Sequence, residues 1–192
     1  AVFSGRRTKK GTIVGFKSVK SNNIVRVADC VIIEREILAF LPGMEKITAL
    51  ACTRSSTIKI HVCTSINGLD VFVRAGKPLD KRLKTGLSKI ALDFDLARLS
   101  YDEELIAFIR EPVQNLDGVE ITPPEEFFMQ ATKEAEKVMI TDVCEIMQNE
   151  KSVIDLFSGF GTFALPLSKT KKILAVEKSR EMLKALDLVY RR

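Results

Sequence analysis

Ile154-Asp155-Leu156-Phe157-Ser158-Gly159-Phe160-Gly161-Thr162-Phe163 decides the fold of this 192-residue chain. Lys151 to Phe157 reads as a short apolar strand of the buried, parallel kind, carrying the acidic Asp155 into a glycine turn. Gly159 and Gly161 each remove a Cβ where a ligand has to approach backbone. A helix over about Thr162 to Ser168 follows, and Lys172 to Glu177 is a second buried strand ending in a carboxylate. Strand, glycine turn and helix put backbone N–H groups and a helix N-terminus at one edge of a parallel sheet. Glu177 can accept from both hydroxyls of a ribose, because an ionised carboxylate is an acceptor-only group with room for several donors. The layout is that of a nucleoside-cofactor site; the bland alternative is an ordinary tight turn between strand and helix.

The residues after the second glycine separate the cofactors. A dinucleotide site wants Gly-x-Gly-x-x-Gly, whose third glycine lets helix and strand pack closely, and Ala164 stands there. The Gly-Lys-Ser/Thr run of a phosphate-gripping loop is absent from the sequence. With a pyrophosphate disfavoured, S-adenosylmethionine is the leading ligand, ahead of a nucleotide-linked oxidoreductase.

Three blocks now combine: Pro123-Pro124-Glu125-Glu126-Phe127-Phe128-Met129-Gln130-Ala131-Thr132, then Asp155 to Phe163, then Ala175-Val176-Glu177. Together they resemble the RNA 5-methyluridine methyltransferases, the uracil-5 enzymes of tRNA and 23S rRNA, along the whole chain. The resemblance implies an α/β protein, α+β in its first part. An antiparallel β-rich, RNA-facing domain over residues 1–122 precedes the first part of a Rossmann-like class I methyltransferase domain over 123–192. It implies that Gln130, Asp155, Phe157, Ser158, Gly159, Gly161, Thr162 and Glu177 contact S-adenosylmethionine, Glu177 being the ribose-binding acid. Ser158 stands where many members have cysteine, and Thr132 where some have asparagine. On residue type alone, Gln130 is equally a solvated residue at a helix start.

In that family a cysteine attacks carbon 6 of the uracil, carbon 5 takes the methyl group, and a carboxylate removes the carbon-5 proton; such chemistry needs an activated thiolate and a positioned base. The resemblance puts both groups downstream of the acidic strand end. Cys30, Cys52, Cys63 and Cys144 all precede the glycine loop, and none has the surroundings of the family nucleophile. We therefore expect no catalytic residue among the 192, which read as a fragment or a split copy that is inactive alone. The alternative is a non-catalytic RNA-binding module or degenerate homologue. Cys30 resembles the fourth ligand of the iron–sulfur cluster that some members carry, its other three ligands lying upstream. Without a Cys-x-x-Cys here it is a possible remnant ligand only, or a small buried hydrophobe, and no metal site is expected.

The whole chain carries a net +5, but residues 1–30 hold seven Lys or Arg against the single acid Asp29. Arg6, Arg7, Lys9, Lys10, Lys17 and Lys20 are the candidate RNA contacts, since neutralising phosphates releases counterions without reading sequence. A strand face kept soluble by lysine is the other reading. With 23S rRNA favoured over tRNA as partner, no apolar run of about 18 residues and no signal peptide at the N-terminus, a cytoplasmic protein without a membrane partner is expected.

Along the first part, a hairpin over Thr12–Val27 turns at Ser21-Asn22-Asn23, and a helix carries Ile33, Ile37, Phe40, Leu41 and Met44. Ile58 to Ile66 and Leu69 to Val73 form a second hairpin around Asn67-Gly68, with the lone histidine, His61, on its polar face. An amphipathic helix over Leu79–Phe94 and a hairpin around Asp102-Glu103-Glu104 follow. Pro112, Asn115 to Gly118 and Pro123-Pro124 read as a linker. Thr132 caps a helix whose stripe Ala135, Val138, Met139, Val143, Ile146 and Met147 reads as core.

Overall fold

The computed structural model describes residues 1–130 and 132–191; Ala131, within the first of the three blocks, and Arg192 lie outside the described residues. The chain forms two compact units, Ala1–Pro112 and Val113–Arg192.

The first unit is a seven-stranded sheet ordered β3-β2-β1-β4-β5-β6-β7. Its strands are β1 (Val2–Thr8), β2 (Gly11–Lys17), β3 (Ile24–Arg26), β4 (Thr57–Ser65), β5 (Gly68–Arg74), β6 (Arg98–Tyr101) and β7 (Glu104–Phe108). Helices α1 (Arg35–Ala39), α2 (Leu41–Ala51) and α3 (Lys81–Asp93) supply Ile37, Met44, Ile47, Leu83, Leu87 and Ile90 to one buried cluster with Ile58, Ile60, Val62, Val71 and Val73 of the sheet. Strand alternation puts those sheet residues on one face, and each fully buried aliphatic side chain contributes about 1.5–3 kcal/mol. On β5 and β6 the alternate positions carry a buried ion pair: Arg98 Nη2 lies 2.6 Å from Asp70 Oδ2.

Three details of this unit differ from the sequence reading. Val2–Thr8 is a strand paired with both β2 and β4, so the basic residues Arg6 and Arg7 sit within the sheet rather than ahead of it. The sheet is not wholly antiparallel, because β5 and β6 run parallel, joined by the α3 crossover that a parallel pair requires. The β4–β5 turn is Ile66-Asn67, with Ser65 paired to Gly68. Gly68 takes the positive φ of 120° at the start of the returning strand, and Ser65 Oγ closes the turn by donating to its carbonyl.

The second unit contains the hairpin β8 (Gln114–Leu116) and β9 (Val119–Ile121), then α4 (Lys133–Ile146), β10 (Ser152–Leu156), α5 (Ala164–Ser168), β11 (Lys172–Val176) and α6 (Arg180–Tyr190). Residues expected to be a linker are therefore a hairpin. Asp117 and Gly118 take positive φ values of 51° and 84°, as a two-residue turn matched to strand twist demands, and Asn115 Oδ1 accepts from the Gly118 amide. Leu116 and Ile121 are buried with Phe160, Leu165, Ala185 and Leu186. The hairpin thus belongs to the core of the second unit, and the division falls ahead of the expected 122/123 boundary.

β10 and β11 are parallel, with Asp155 opposite Ala175 and Leu156 opposite Val176. Neither is the fully buried strand the composition suggests: Ile154, Leu156, Leu174 and Val176 are exposed along one face, since in this two-stranded sheet only the other face is lined. Thr132 caps α4 as expected, its Oγ1 accepting from the Ala135 amide at 3.1 Å. The helix buries Glu136 and Ile140, whereas Val138 and Ile146 of the expected core stripe are exposed. Its inward face is narrower and rotated by part of a turn. Among the described residues no helix is long and apolar enough to cross a membrane.

Candidate nucleoside-cofactor site

The glycine loop leaves β10 through Phe157, whose φ is +61° and whose side chain is 89% exposed. An L-residue in the left-handed region costs roughly 1–2 kcal/mol, so the loop is held by other contacts. The Ser158 amide donates to the Val176 carbonyl, locking the loop onto β11, and the Gly161 amide donates to the Ser158 carbonyl. The Gly159 amide donates to Glu177 Oε2 at 3.0 Å, while Glu177 Oε1 accepts from the amides of Lys178 and Ser179. The Ser179, Gly159 and Lys178 amides hold the Glu177 carboxyl below its ordinary range.

The two glycines serve different ends. A Cβ at Gly159, where φ is +57°, would find nothing nearer than Met182 Sδ at 3.9 Å, so this position opens outward. A Cβ at Gly161 would lie 2.4 Å from Leu186 Cδ2 and 2.8 Å from Leu165 Cγ. The missing side chain at Gly161 makes room for the protein's own core. Phe160, between them, is buried and packs edge-on against Phe127 with centroids 5.1 Å apart. Phe127 and Met129 join the same cluster, which draws the segment ending in Gln130 towards the loop.

Asp155 and Ser158 carry the polar atoms without internal satisfaction. Asp155 Oδ2 and Ser158 Oγ are buried without a hydrogen-bond partner. Burial pushes the Asp155 carboxyl up, against the opposing pull of the Ala164 amide at the start of α5. Buried polar groups are nearly always paired, so both atoms have capacity for an incoming donor or acceptor. Glu136 Oε2 is a third such atom, and burial raises its carboxyl too. The sequence places Glu136 among the acids of the first turn of α4, but its position one turn after the capping Thr132, in register with Ile140, also marks it as facing inward. Thr162 is half-buried in the turn preceding α5, which begins two residues later than expected. Gln130 is half-buried just ahead of α4.

The remaining candidates separate. Arg6 Nη2 donates to the Asn22 carbonyl and Lys17 Nζ reaches Asn22 Oδ1 at 3.5 Å, so both organise the β2–β3 turn. Arg7, Lys9, Lys10 and Lys20 are exposed. Cys52 is buried and donates to the Gly5 carbonyl; desolvation raises the thiols of Cys52 and Cys63, the opposite of thiolate activation. Cys30 is half-buried, and among the described residues no group of three or more His, Cys, Asp or Glu could hold a metal. His61 stacks edge-on against its cross-strand partner Phe72, centroids 5.8 Å apart. A surface hollow of ≈ 790 Å³ lined by Cys144, Lys151, Leu167 and Lys172 lies at the opposite ends of β10 and β11 from the loop, away from where ligands of open α/β sheets bind.

Two parallel strands joined through a glycine loop and a helix, with the loop pinned to an acidic strand end, form a Rossmann-like β-α-β unit. No family model matches the chain. It is 32% identical to an uncharacterized RNA methyltransferase of Rhizobium meliloti over 191 residues, covering 100% of this chain and 46% of the relative. It is 34% identical to one of Mesorhizobium japonicum over 186 residues, 97% of this chain and 45% of the relative. The 23S rRNA (uracil(1939)-C(5))-methyltransferase RlmD of Photobacterium profundum is 28% identical over 191 residues, 95% of this chain and 41% of that protein. The fold is similar to that of the Pyrococcus abyssi tRNA (uracil-54, C5)-methyltransferase, solved in complex with S-adenosyl-L-homocysteine. That match has a TM-score of 0.63 at 16% identity and covers 99% of this chain and 52% of that one. Over nearly all of its length the chain is similar to proteins named RNA methyltransferases, and it spans a little under half the length of those relatives.

Proposed function

We propose that the chain is the RNA-facing and cofactor-opening half of an S-adenosylmethionine-dependent RNA methyltransferase acting on carbon 5 of uridine. The observation that carries the cofactor reading is the pair of buried, unpartnered atoms Asp155 Oδ2 and Ser158 Oγ beside a loop already fixed by Glu177. These residues fit a nucleoside: donors and acceptors face a turn whose Gly159 leaves room. Glu177 has about four acceptor sites, three of them taken by backbone amides. It can take one ribose hydroxyl directly and a second only by sharing the position of the Gly159 amide.

Bound there, S-adenosylmethionine supplies a sulfonium methyl group to a nucleophilic carbon. This chain's own residues position the nucleoside end: Glu177 takes the ribose, Asp155 and Ser158 take polar atoms beside it, and Gln130 approaches from the segment packed on Phe160. The raised thiols of Cys52 and Cys63 do not suit them to attack a uracil. The resemblance assigns nucleophile and base to sequence following the acidic strand end, so the 192 residues tested alone bind cofactor without turnover. The similarity to a 23S rRNA enzyme along 95% of the chain favours rRNA over tRNA. The cations Arg7, Lys9 and Lys10 meet its phosphates.

Isothermal titration of the chain with S-adenosylmethionine, and in parallel with NAD, tests this reading, with Glu177→Gln as control. Saturable binding of the methyl donor that weakens about tenfold or more in the variant, the loss of a charge-assisted hydrogen bond or two, is expected. Binding of NAD instead, or of neither by a folded chain, refutes it.

A further inference from the structure

The N-terminal cations are not the only basic stretch. Between Arg74 and Lys89 there are six Lys or Arg against the single acid Asp80, nearly the excess of the first thirty residues, and the strand register brings the two stretches together. Arg6 pairs with Thr57 across β1 and β4, and Lys59 pairs with Arg74 across β4 and β5. The β1–β2 turn, the α2–β4 loop and the β5–α3 loop therefore emerge at the same end of the sheet. From β2 to β5 is three strand spacings, roughly 14 Å. Lys17 lies at the other end of β2, about 20 Å away at ~3.3 Å per residue, so the sequence's six RNA candidates do not form one group.

The loops at this end are fastened to one another. Cys52, just past α2, donates to the Gly5 carbonyl of β1. The Lys77 amide donates to the Ala51 carbonyl at the end of α2, the Tyr101 hydroxyl donates to the Lys77 carbonyl at 2.6 Å, and the Ala75 amide donates to Asp102 Oδ1. Fixed backbone thus presents Arg7, Lys9 and Lys10 from one loop, Arg54 from the next, and Lys77, Lys81 and Arg82 from the third. Lys9 and Lys10 also border a hollow of ≈ 370 Å³ with Thr8, Thr12 and Arg26.

Two features argue that this rim is more than a solvated edge. Lys81 and Arg82 occupy the first turn of α3, which contains no acidic residue. Cations at that positive end cost stability, by about 0.3–1 kcal/mol each at low salt. Three of the acids nearby are already committed: Asp80 caps the helix by accepting from the Leu83 amide, Asp102 holds Ala75, and Glu104 pairs with Lys84 at 3.5 Å, while Glu103 is exposed in the β6–β7 turn. The rim cations are left without a carboxylate among the described residues.

We propose that this sheet end is a phosphate-binding rim for RNA, with Lys77, Lys81 and Arg82 as contacts additional to Arg7, Lys9 and Lys10. The proposal rests on the RNA reading above and narrows it to one edge of the first unit. A fixed row of unpaired cations over this span suits consecutive backbone phosphates, and with no exposed aromatic in the row it reads charge and shape rather than base identity.

The test is fluorescence anisotropy of a labelled single-stranded RNA with the full chain between about 50 and 200 mM KCl, comparing wild type, K77A/K81A/R82A and K17A/K20A. The triple variant is expected to bind on the order of tenfold more weakly, with a log K against log salt slope shallower by about 2, since each lost single-strand phosphate contact removes ~0.7. K17A/K20A should stay within twofold of wild type. Thermal melting verifies folding, and the charge-retaining K77R/K81R should keep wild-type affinity. Equal binding by the triple variant, or loss confined to K17A/K20A, overturns the rim. A wild type that binds S-adenosylmethionine but no RNA overturns the RNA reading itself. Retention on phosphatidylglycerol vesicles without RNA binding would make the rim a lipid surface and refute the proposal.

Discussion

The strands of the two units are made of the same residue types and end in opposite environments. In the first unit Ile58, Ile60, Val62, Val71 and Val73 are wholly buried under α2 and α3, whereas in the second Ile154, Leu156 and Leu174 are about 60% exposed. β-branched and aliphatic composition therefore set the strands, and covering helices set the burial. Charge divides the same way. The first unit holds 19 Lys and Arg against 12 Asp and Glu, a net +7, and the second 11 against 13, a net −2. One unit is a helix-covered sheet with a net positive charge; the other is a sheet with one face exposed, whose polar capacity is concentrated at one loop. The lesson is that a composition averaged along a chain can hide two parts with different physical tasks.

The largest expected break in this comparison is Asp70→Ala, which removes the bidentate carboxylate from the buried Arg98. It should cost about 3–5 kcal/mol, and hydrogen exchange resolved by peptide should place the loss in the first unit. Leu116→Ala removes a side chain that is 1% exposed in the core of the second unit. A loss of about 2–5 kcal/mol, read by urea unfolding with faster exchange in Val113–Arg192, would fix the hairpin as part of that unit; a loss confined to the first would break the division. Gly161→Ala places a methyl group 2.4 Å from Leu186 Cδ2 at a φ of +98°, and should lower stability by about 2–4 kcal/mol.

Asp155→Asn should separate stability from binding. Burial raises this carboxyl, so its ionised form disfavours the folded state at neutral pH and the amide should melt slightly higher, while S-adenosylmethionine affinity falls tenfold or more in calorimetry. Smallest is the pH response of the loop. The folded Glu177 carboxyl titrates below its ordinary 4.5, so its stabilisation is complete above that value and is lost as pH falls through the lower folded value. The Gly159 amide resonance should therefore shift only in acid, and a transition near neutrality would contradict the Glu177 contact.

Much of this was legible because local signals agreed with tertiary demand. The glycine loop, the Thr132 cap, the β4–β5 hairpin and the amphipathic α3 all follow from turn chemistry and periodicity. Asn115-Leu116-Asp117-Gly118-Val119 was misread because proline and polar residues around it favour a linker, although Asp-Gly between apolar neighbours is a strong hairpin signal. The burial of β10 and the stripe on α4 were overestimated for another reason: periodicity says which residues share a face but not whether a neighbour arrives to cover it. The role of Gly161 depends on Leu186, 25 positions later, and no local pattern contains that contact. Nor could spacing bring residues 7–10 and 77–82 to one edge, since only the strand register does so.

Ile173-Leu174-Ala175-Val176 is bounded by Lys171-Lys172 on one side and Glu177-Lys178 on the other. A half-exposed apolar strand of this kind is a template for self-association, and flanking charges act as gatekeepers against it. Glu177 is thereby one of the charges guarding this strand as well as the anchor of its loop. Replacing it with a neutral residue removes one of four guarding charges, and the first symptom of that change would be loss of soluble yield.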